Sequence, residues 1–187
     1  MTKFDKAAEF AVEKHSGMKR KAGNSPYVLH LFETAAIAGT LTDDEDVLTA
    51  AILHDAVEDA GVSPDEIRER FGGRVAELVL SETEDKRRGT PPSDSWRDRK
   101  TESLRKLKDA DDAGTAIIWL SDKLSNVRSF YRLWLERGDA VWDVTNQKDK
   151  KQQEWYYRTV LALLGGLRGT AAWEELKTLV DRLFEGA

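Results

Sequence analysis

Apolar residues recur at helical intervals along most of the chain, and Gly and Pro collect between the periodic stretches. Phe4–His15 carries Ala7, Ala8, Phe10, Ala11 and Val12 as one stripe, and a basic loop, Ser16–Ser25, follows. Helices are expected at Tyr27–Gly39 and Asp46–Asp59, and Ser63-Pro64-Asp65-Glu66 reads as a helix start with Ser63 as cap. Gly72-Gly73 closes that short helix and Arg74–Glu84 begins the next. Lys86–Ser95, with Gly89, Pro91 and Pro92 among charges, predicts an exposed loop. Helices over Trp96–Asp109, Ala113–Arg137, Lys148–Leu167 and Ala171–Phe184 complete the pattern. No run alternates as a strand would. The expectation is one all-α domain over 1–187, with a core at about 3–137 and C-terminal helices at about 148–184.

Three of these helices carry polar groups at odds with their surroundings. Val47, Leu48, Ala50, Ala51, Ile52, Leu53, Ala56 and Val57 leave almost no polar face, which marks a buried helix. That same segment holds His54 and Asp55, then Glu58 and Asp59. On a helix, His54 and Glu58 share one face, and Asp55 and Asp59 the neighbouring one. Ile117-Ile118-Trp119-Leu120 leads likewise into Asp122, with Asn126 one turn on, and His30 sits in a Tyr-Val-Leu-His-Leu run. A buried, unpaired carboxylate costs several kcal/mol, so such groups need a cation or a partner. Imidazole with carboxylate suits a divalent ion such as Mn²⁺, Fe²⁺ or Zn²⁺. Each residue alone has a plainer explanation: Asp122 could pair with Lys123 or Arg128, and Glu58 and Asp59 could form a solvated helix end.

The 187 residues contain 29 Lys and Arg, 34 Asp and Glu, and no Cys, which excludes disulfides, a thiol nucleophile and Cys-ligated metal. A net charge of −5 argues against gripping polymeric nucleic acid, though not against a local basic patch for a small anion. No apolar stretch is long enough for a membrane helix and no secretory leader appears, so no membrane association and a cytoplasmic location are expected. Trp119, Trp134 and Trp173 lie among aliphatic residues and should pack the core, and His15 should brace the loop that follows it.

The ordered set of motifs resembles the HD superfamily of metal-dependent phosphohydrolases, and more narrowly the hydrolase domain of the RelA/SpoT family and its small single-domain alarmone hydrolases. Lys19-Arg20-Lys21, Pro26-Tyr27 and His30 resemble the first motif, and Leu53-His54-Asp55-Ala56-Val57-Glu58-Asp59 the metal-binding doublet with its acidic pair. Thr83-Glu84-Asp85-Lys86, Arg99-Lys100 and Leu120-Ser121-Asp122-Lys123-Leu124-Ser125-Asn126 follow in order. The chain departs from the family at Leu31, where Pro is usual, and at Trp155, where Tyr is expected.

The resemblance implies an HD-type helical bundle in which His30, His54, Asp55 and Asp122 ligate one divalent ion, Mn²⁺ foremost. It implies Glu58 and Asp59 as catalytic acids, and Arg20, Lys21, Asn126, Lys100, Lys151 and Trp155 as contacts to a small anionic nucleotide. The implied reaction is removal of the 3′-diphosphate from guanosine tetra- or pentaphosphate. Two alternatives stay open: hydrolysis of another nucleotide, such as a phosphorylated nicotinamide cofactor or a nucleoside monophosphate, and a non-catalytic nucleotide-binding module.

Overall fold

The computed structural model of the chain describes residues 1–20, 24–87 and 89–185. Among these the architecture is all-α: α1 (Lys3–Lys14), α2 (Val28–Ala38), α3 (Glu45–Leu53), α4 (Pro64–Phe71), α5 (Gly73–Glu82), α6 (Pro92–Lys108), α7 (Ala113–Arg137), α8 (Lys150–Leu163) and α9 (Ala171–Glu185). Three-ten segments at Gly138–Val144 and Leu164–Leu167 connect the last three. The only strand-like feature among the described residues is an isolated bridge between Lys19 and Pro26. No described helix is long and apolar enough to cross a membrane.

Side-chain caps set most helix starts. Thr2, Asp44, Ser63, Asp112 and Asp149 each accept from a backbone N–H in the first turn of the helix they precede. Gly72, at a φ of +100°, ends α4 and opens α5, a conformation that L side chains rarely adopt. Arg74 links two of the caps, with Nη1 2.7 Å from Asp44 Oδ2 and Nε 2.8 Å from Asp112 Oδ2.

Two apolar clusters form the interior. One joins α1, α3, α4, α5 and much of α2, and the other joins α6, α8, α9 and the 138–144 segment. The 25-residue α7 belongs to both, giving Ile118 to the first and Trp119, Leu120, Leu124 and Val127 to the second. Its approach to α3 is close because residue 114 is Gly: a Cβ there would stand 2.6 Å from Val47 Cγ2 and 3.3 Å from Leu78 Cδ2. Trp119 and Trp173 are buried as expected, and Trp134 is partly buried against Tyr131.

The structure corrects three boundaries. The helix expected over Asp46–Asp59 ends at Leu53, and residues 54–60 form a tight turn. The His54 ring Nδ1 takes the Ala51 carbonyl at 2.8 Å, the oxygen that the Asp55 N–H would need to continue the helix. The helix expected from Trp96 begins one turn earlier, because Pro92 fits the first position of α6. The segment Lys148–Leu167 is α8 followed by a three-ten turn, where Gly165 and Gly166 remove the helical preference.

Replacing Gly114 by Val should lower unfolding free energy by about 1–3 kcal/mol, with α7 forced away from Val47. Chemical denaturation of the two proteins checks this, and an unchanged midpoint would show that the α3–α7 contact yields freely.

Candidate metal centre and substrate pocket

Four side chains from three segments converge on one buried point. His30 stands in the first turn of α2, His54 caps the end of α3, Asp55 follows in the turn, and Asp122 lies in the middle of α7. His30 Nε2 is 3.1 Å from Asp122 Oδ1 and 3.6 Å from Asp55 Oδ2. His54 Nε2 is 3.0 Å from Asp55 Oδ2 and 3.5 Å from Asp122 Oδ1. Donors sharing an ion at about 2.1 Å stand roughly 3.0–3.4 Å apart, between right-angled and tetrahedral arrangements. The donor atoms of His30, His54 and Asp122 all lie within 4.8 Å of one another.

Local hydrogen bonds aim the imidazoles. His54 Nδ1 faces the Ala51 carbonyl at 2.8 Å, which can only accept, so in the neutral ring the proton resides there and Nε2 presents the lone pair. That Nε2 is buried, with only the Asp55 and Asp122 carboxylates within reach. In the neutral ring that lone pair faces two carboxylates, a setting that a cation between them completes. Burial opposes charge on His54, but Asp55 and Asp122 outweigh it and hold the imidazole well above its ordinary range. Burial likewise pushes Asp55 up, yet His54 and His30 bring it well below the usual carboxylate range. Asp122 is depressed against its own burial, chiefly by the Lys123 ammonium, with the two imidazoles adding to it.

Around this centre the acids and bases are paired. Lys123 bridges Asp122 Oδ2 and Glu82 Oε1 over the face of Trp119, and burial pushes Glu82 up to about 8. Asn126 donates from Nδ2 to Asp122 Oδ1 at 2.6 Å and accepts from Arg20 Nη2 at 2.8 Å. The Tyr27 hydroxyl lies 2.7 Å from Asp55 Oδ2 and 2.9 Å from Asp59 Oδ2, so its one proton serves either carboxylate. Glu58 accepts from the Glu84 backbone N–H at 2.9 Å; burial and Asp55 raise its carboxyl above the ordinary value. Lys86 pairs with Asp59 and stands 3.4 Å from Glu58.

A polar pocket of about 180 Å³ holds the convergence point and adjoins a cavity of about 530 Å³. Tyr27, Glu58, Asp59, Glu84, Lys100 and Asn126 line both. The larger cavity adds the cations Lys19, Arg20, Lys86 and Arg99 and the rings of Trp96 and Phe130. Of the residues expected from sequence, His30, His54, Asp55, Glu58, Asp59, Lys100, Asp122, Asn126 and Arg20 therefore lie in one region. Lys21 falls outside the described residues.

Lys151 and Trp155 are not brought there: they line an open groove with Glu154 and Arg158, and the Trp155 ring is covered by Arg97. The next residue, Tyr156, lines the metal pocket instead. His15 is buried, bonded through Nδ1 to the Ala11 carbonyl at 3.0 Å and stacked on Tyr27. Sequence reasoning gave no role to Tyr27 or Lys86. Tyr27 carried a usable signal, since it lies three residues before His30 and so on the same helical face.

Residues 7–147 match the family model described as "HD domain". The chain is 38% identical over 136 residues to the guanosine-3′,5′-bis(diphosphate) 3′-pyrophosphohydrolase of Aquifex aeolicus, covering 72% of this chain and 18% of that protein. It thus spans under a fifth of that long relative. It is 33% identical over 184 residues to the mouse guanosine-3′,5′-bis(diphosphate) 3′-pyrophosphohydrolase MESH1, covering 96% of this chain and 91% of that one. A solved structure described as a metazoan ortholog of SpoT that hydrolyzes ppGpp superposes with a TM-score of 0.73 at 28% identity, covering 99% and 95% of the two chains. A Listeria monocytogenes structure does so at 0.72 and 29%, covering 83% and 99%.

The shifts fix how stability should follow pH. The raised His54 contributes to the metal-free fold fully below its ordinary value of 6.5, and that contribution is lost as pH rises through the raised value. Asp55 and Asp122, both depressed, contribute above 3.8 and lose this as pH falls through their lowered values. Metal-free protein should therefore lose Tm on the alkaline side. A divalent ion held there should raise Tm increasingly over the same interval, its stabilisation amounting to about 2.7 kcal/mol at a hundredfold excess over its Kd. Thermal melts with chelator and with Mn²⁺ test this; a Tm gain that grows toward acid pH would contradict it.

Proposed function

The chain belongs to the HD domain family of metal-dependent phosphohydrolases, and from that premise we propose that it hydrolyses guanosine tetra- and pentaphosphate to GDP or GTP and pyrophosphate. One observation carries the reading: imidazole nitrogens and carboxylate oxygens from three segments meet within 3.0–3.6 Å at one buried point. The near full-length likeness to the mouse hydrolase supports the substrate. His30, His54, Asp55 and Asp122 would hold the ion, and a set of two nitrogens and two oxygens suits Mn²⁺. Bound there, the ion supplies Lewis-acid polarisation of a phosphoryl oxygen and activation of water.

The protein groups account for the remaining steps. Release of intact pyrophosphate requires the bond between phosphorus and the ribose 3′-oxygen to break, with the oxygen of water joining phosphorus. Water gives up a proton and the departing 3′-oxygen gains one. Glu58, its carboxyl raised by burial and by Asp55, is suited to take a proton from the water and return it to the leaving oxygen. Asp59 is oriented by the Tyr27 hydroxyl and Lys86. Lys86, Lys100 and Arg20 at the cavity wall bind phosphate oxygens, Arg through its planar fork. Thus an acidic chain concentrates positive charge where a polyanion must enter.

Purified protein with Mn²⁺, offered the 3′-diphosphorylated guanosine nucleotides, other nucleotides and NADPH, should release pyrophosphate from the first group. Orthophosphate from NADPH or a monophosphate would instead establish one of the alternative substrates. Glu58→Gln should lower kcat by about 10²–10⁴-fold while binding Mn²⁺ normally. Asp122→Ala should lose the ion by equilibrium dialysis. Full turnover in both variants would remove the mechanism.

A further inference from the structure

The two imidazoles of the metal centre are aimed by different means. His54 Nδ1 is fixed by the main chain of its own turn. His30 Nδ1 instead lies 2.8 Å from the Ser125 hydroxyl, a side chain of α7. Ser125 Oγ is also 2.7 Å from Glu33 Oε2, to which it donates. A hydroxyl has one proton, so with that proton given to Glu33 the oxygen can only accept from His30. The ring proton of His30 is then held on Nδ1, and Nε2 turns its lone pair toward Asp122 and Asp55. Glu33 is itself clamped: Arg128 Nη1 reaches Oε1 at 3.1 Å, and the same guanidinium forks onto Glu175 of α9 at 2.7 and 2.6 Å.

We infer that Ser125 and Glu33 are positioning residues that fix the tautomer of His30 and thereby set the affinity of the metal centre. The relay rests on the proposed ion site, and it extends that site outward from α2 through α7 to α9. Ser125 is buried, so water cannot readily replace its hydroxyl, and Glu33 supplies a negative end that strengthens the ligand. Neither residue touches the convergence point, so neither is catalytic.

The test measures Mn²⁺ affinity of the full chain by calorimetry, alongside the Tm of metal-free protein. Ser125→Ala should weaken binding roughly 10–100-fold with kcat at saturating Mn²⁺ changed far less. Ser125→Thr, which keeps the hydroxyl, should bind within about threefold of the parent, and Glu33→Gln should fall between the two. Should Ser125→Ala fail to fold, Glu33→Gln carries the test, because it preserves shape and removes only charge. The imidazole tautomer read by NMR should be Nδ1–H for His30 in the parent and mixed in Ser125→Ala. Parent affinity retained in both Ser125→Ala and Glu33→Gln would overturn the relay alone, and Ser125→Thr as weak as Ser125→Ala would do the same. A parent protein that binds no divalent ion would overturn relay and ion site together.

Discussion

Asp122 holds a carboxylate in the middle of the longest helix, almost out of reach of water, and the surroundings are arranged to keep it charged. Lys123 takes one oxygen, Asn126 donates to the other, and two imidazoles face that same oxygen. Breaking a buried pair by removing one partner typically costs about 3–5 kcal/mol, since the charge left behind has no compensation. The helix cannot simply discard this group, nor can it be satisfied by Lys123 alone. With His54 Nε2 facing the same two carboxylates, the arrangement calls for a further positive charge, a proton on the ring or an ion in its place. Because α7 is shared by both apolar clusters, that charge would sit where the two halves of the interior meet.

The outer part of the site follows from the same need for compensation. Four of the five cations lining the larger cavity have a protein partner: Lys100 and Arg99 hold Glu84, Lys86 holds Glu58 and Asp59, and Arg20 reaches Asn126. A phosphate reaching those four therefore exchanges partners instead of meeting bare charge. Such an exchange favours a ligand with several phosphates, which can replace several contacts at once, over a singly charged one.

Much of this was legible in the sequence, for identifiable reasons. The caps and apolar stripes of α1, α4, α7 and α9 are local, so periodicity finds them. The convergence of His30, His54 and Asp122 was legible because imidazole and carboxylate in an apolar run demand an explanation. The turn at 54–60 was not, since its cause is a ring nitrogen capturing a carbonyl, which no propensity encodes. Trp155 shows another limit: composition points to an aromatic residue in that stretch, but each step along a helix turns a side chain by about 100°. Tyr156 receives the inward direction and Trp155 the groove. Ser125 was invisible for a third reason, as its partners come from 92 and 95 residues away.

The absence of a side chain at Gly114 reaches further than its own turn. Asp122 lies about two turns further along the same rigid rod, on the stretch whose height over α3 is set by the contact with Val47. Any residue that wedges α7 outward at 114 also retracts the carboxylate from His54, although it touches neither. In a saturation screen scored by turnover, position 114 would then report itself as part of the active centre, and a hydrogen atom would count among its most demanding components.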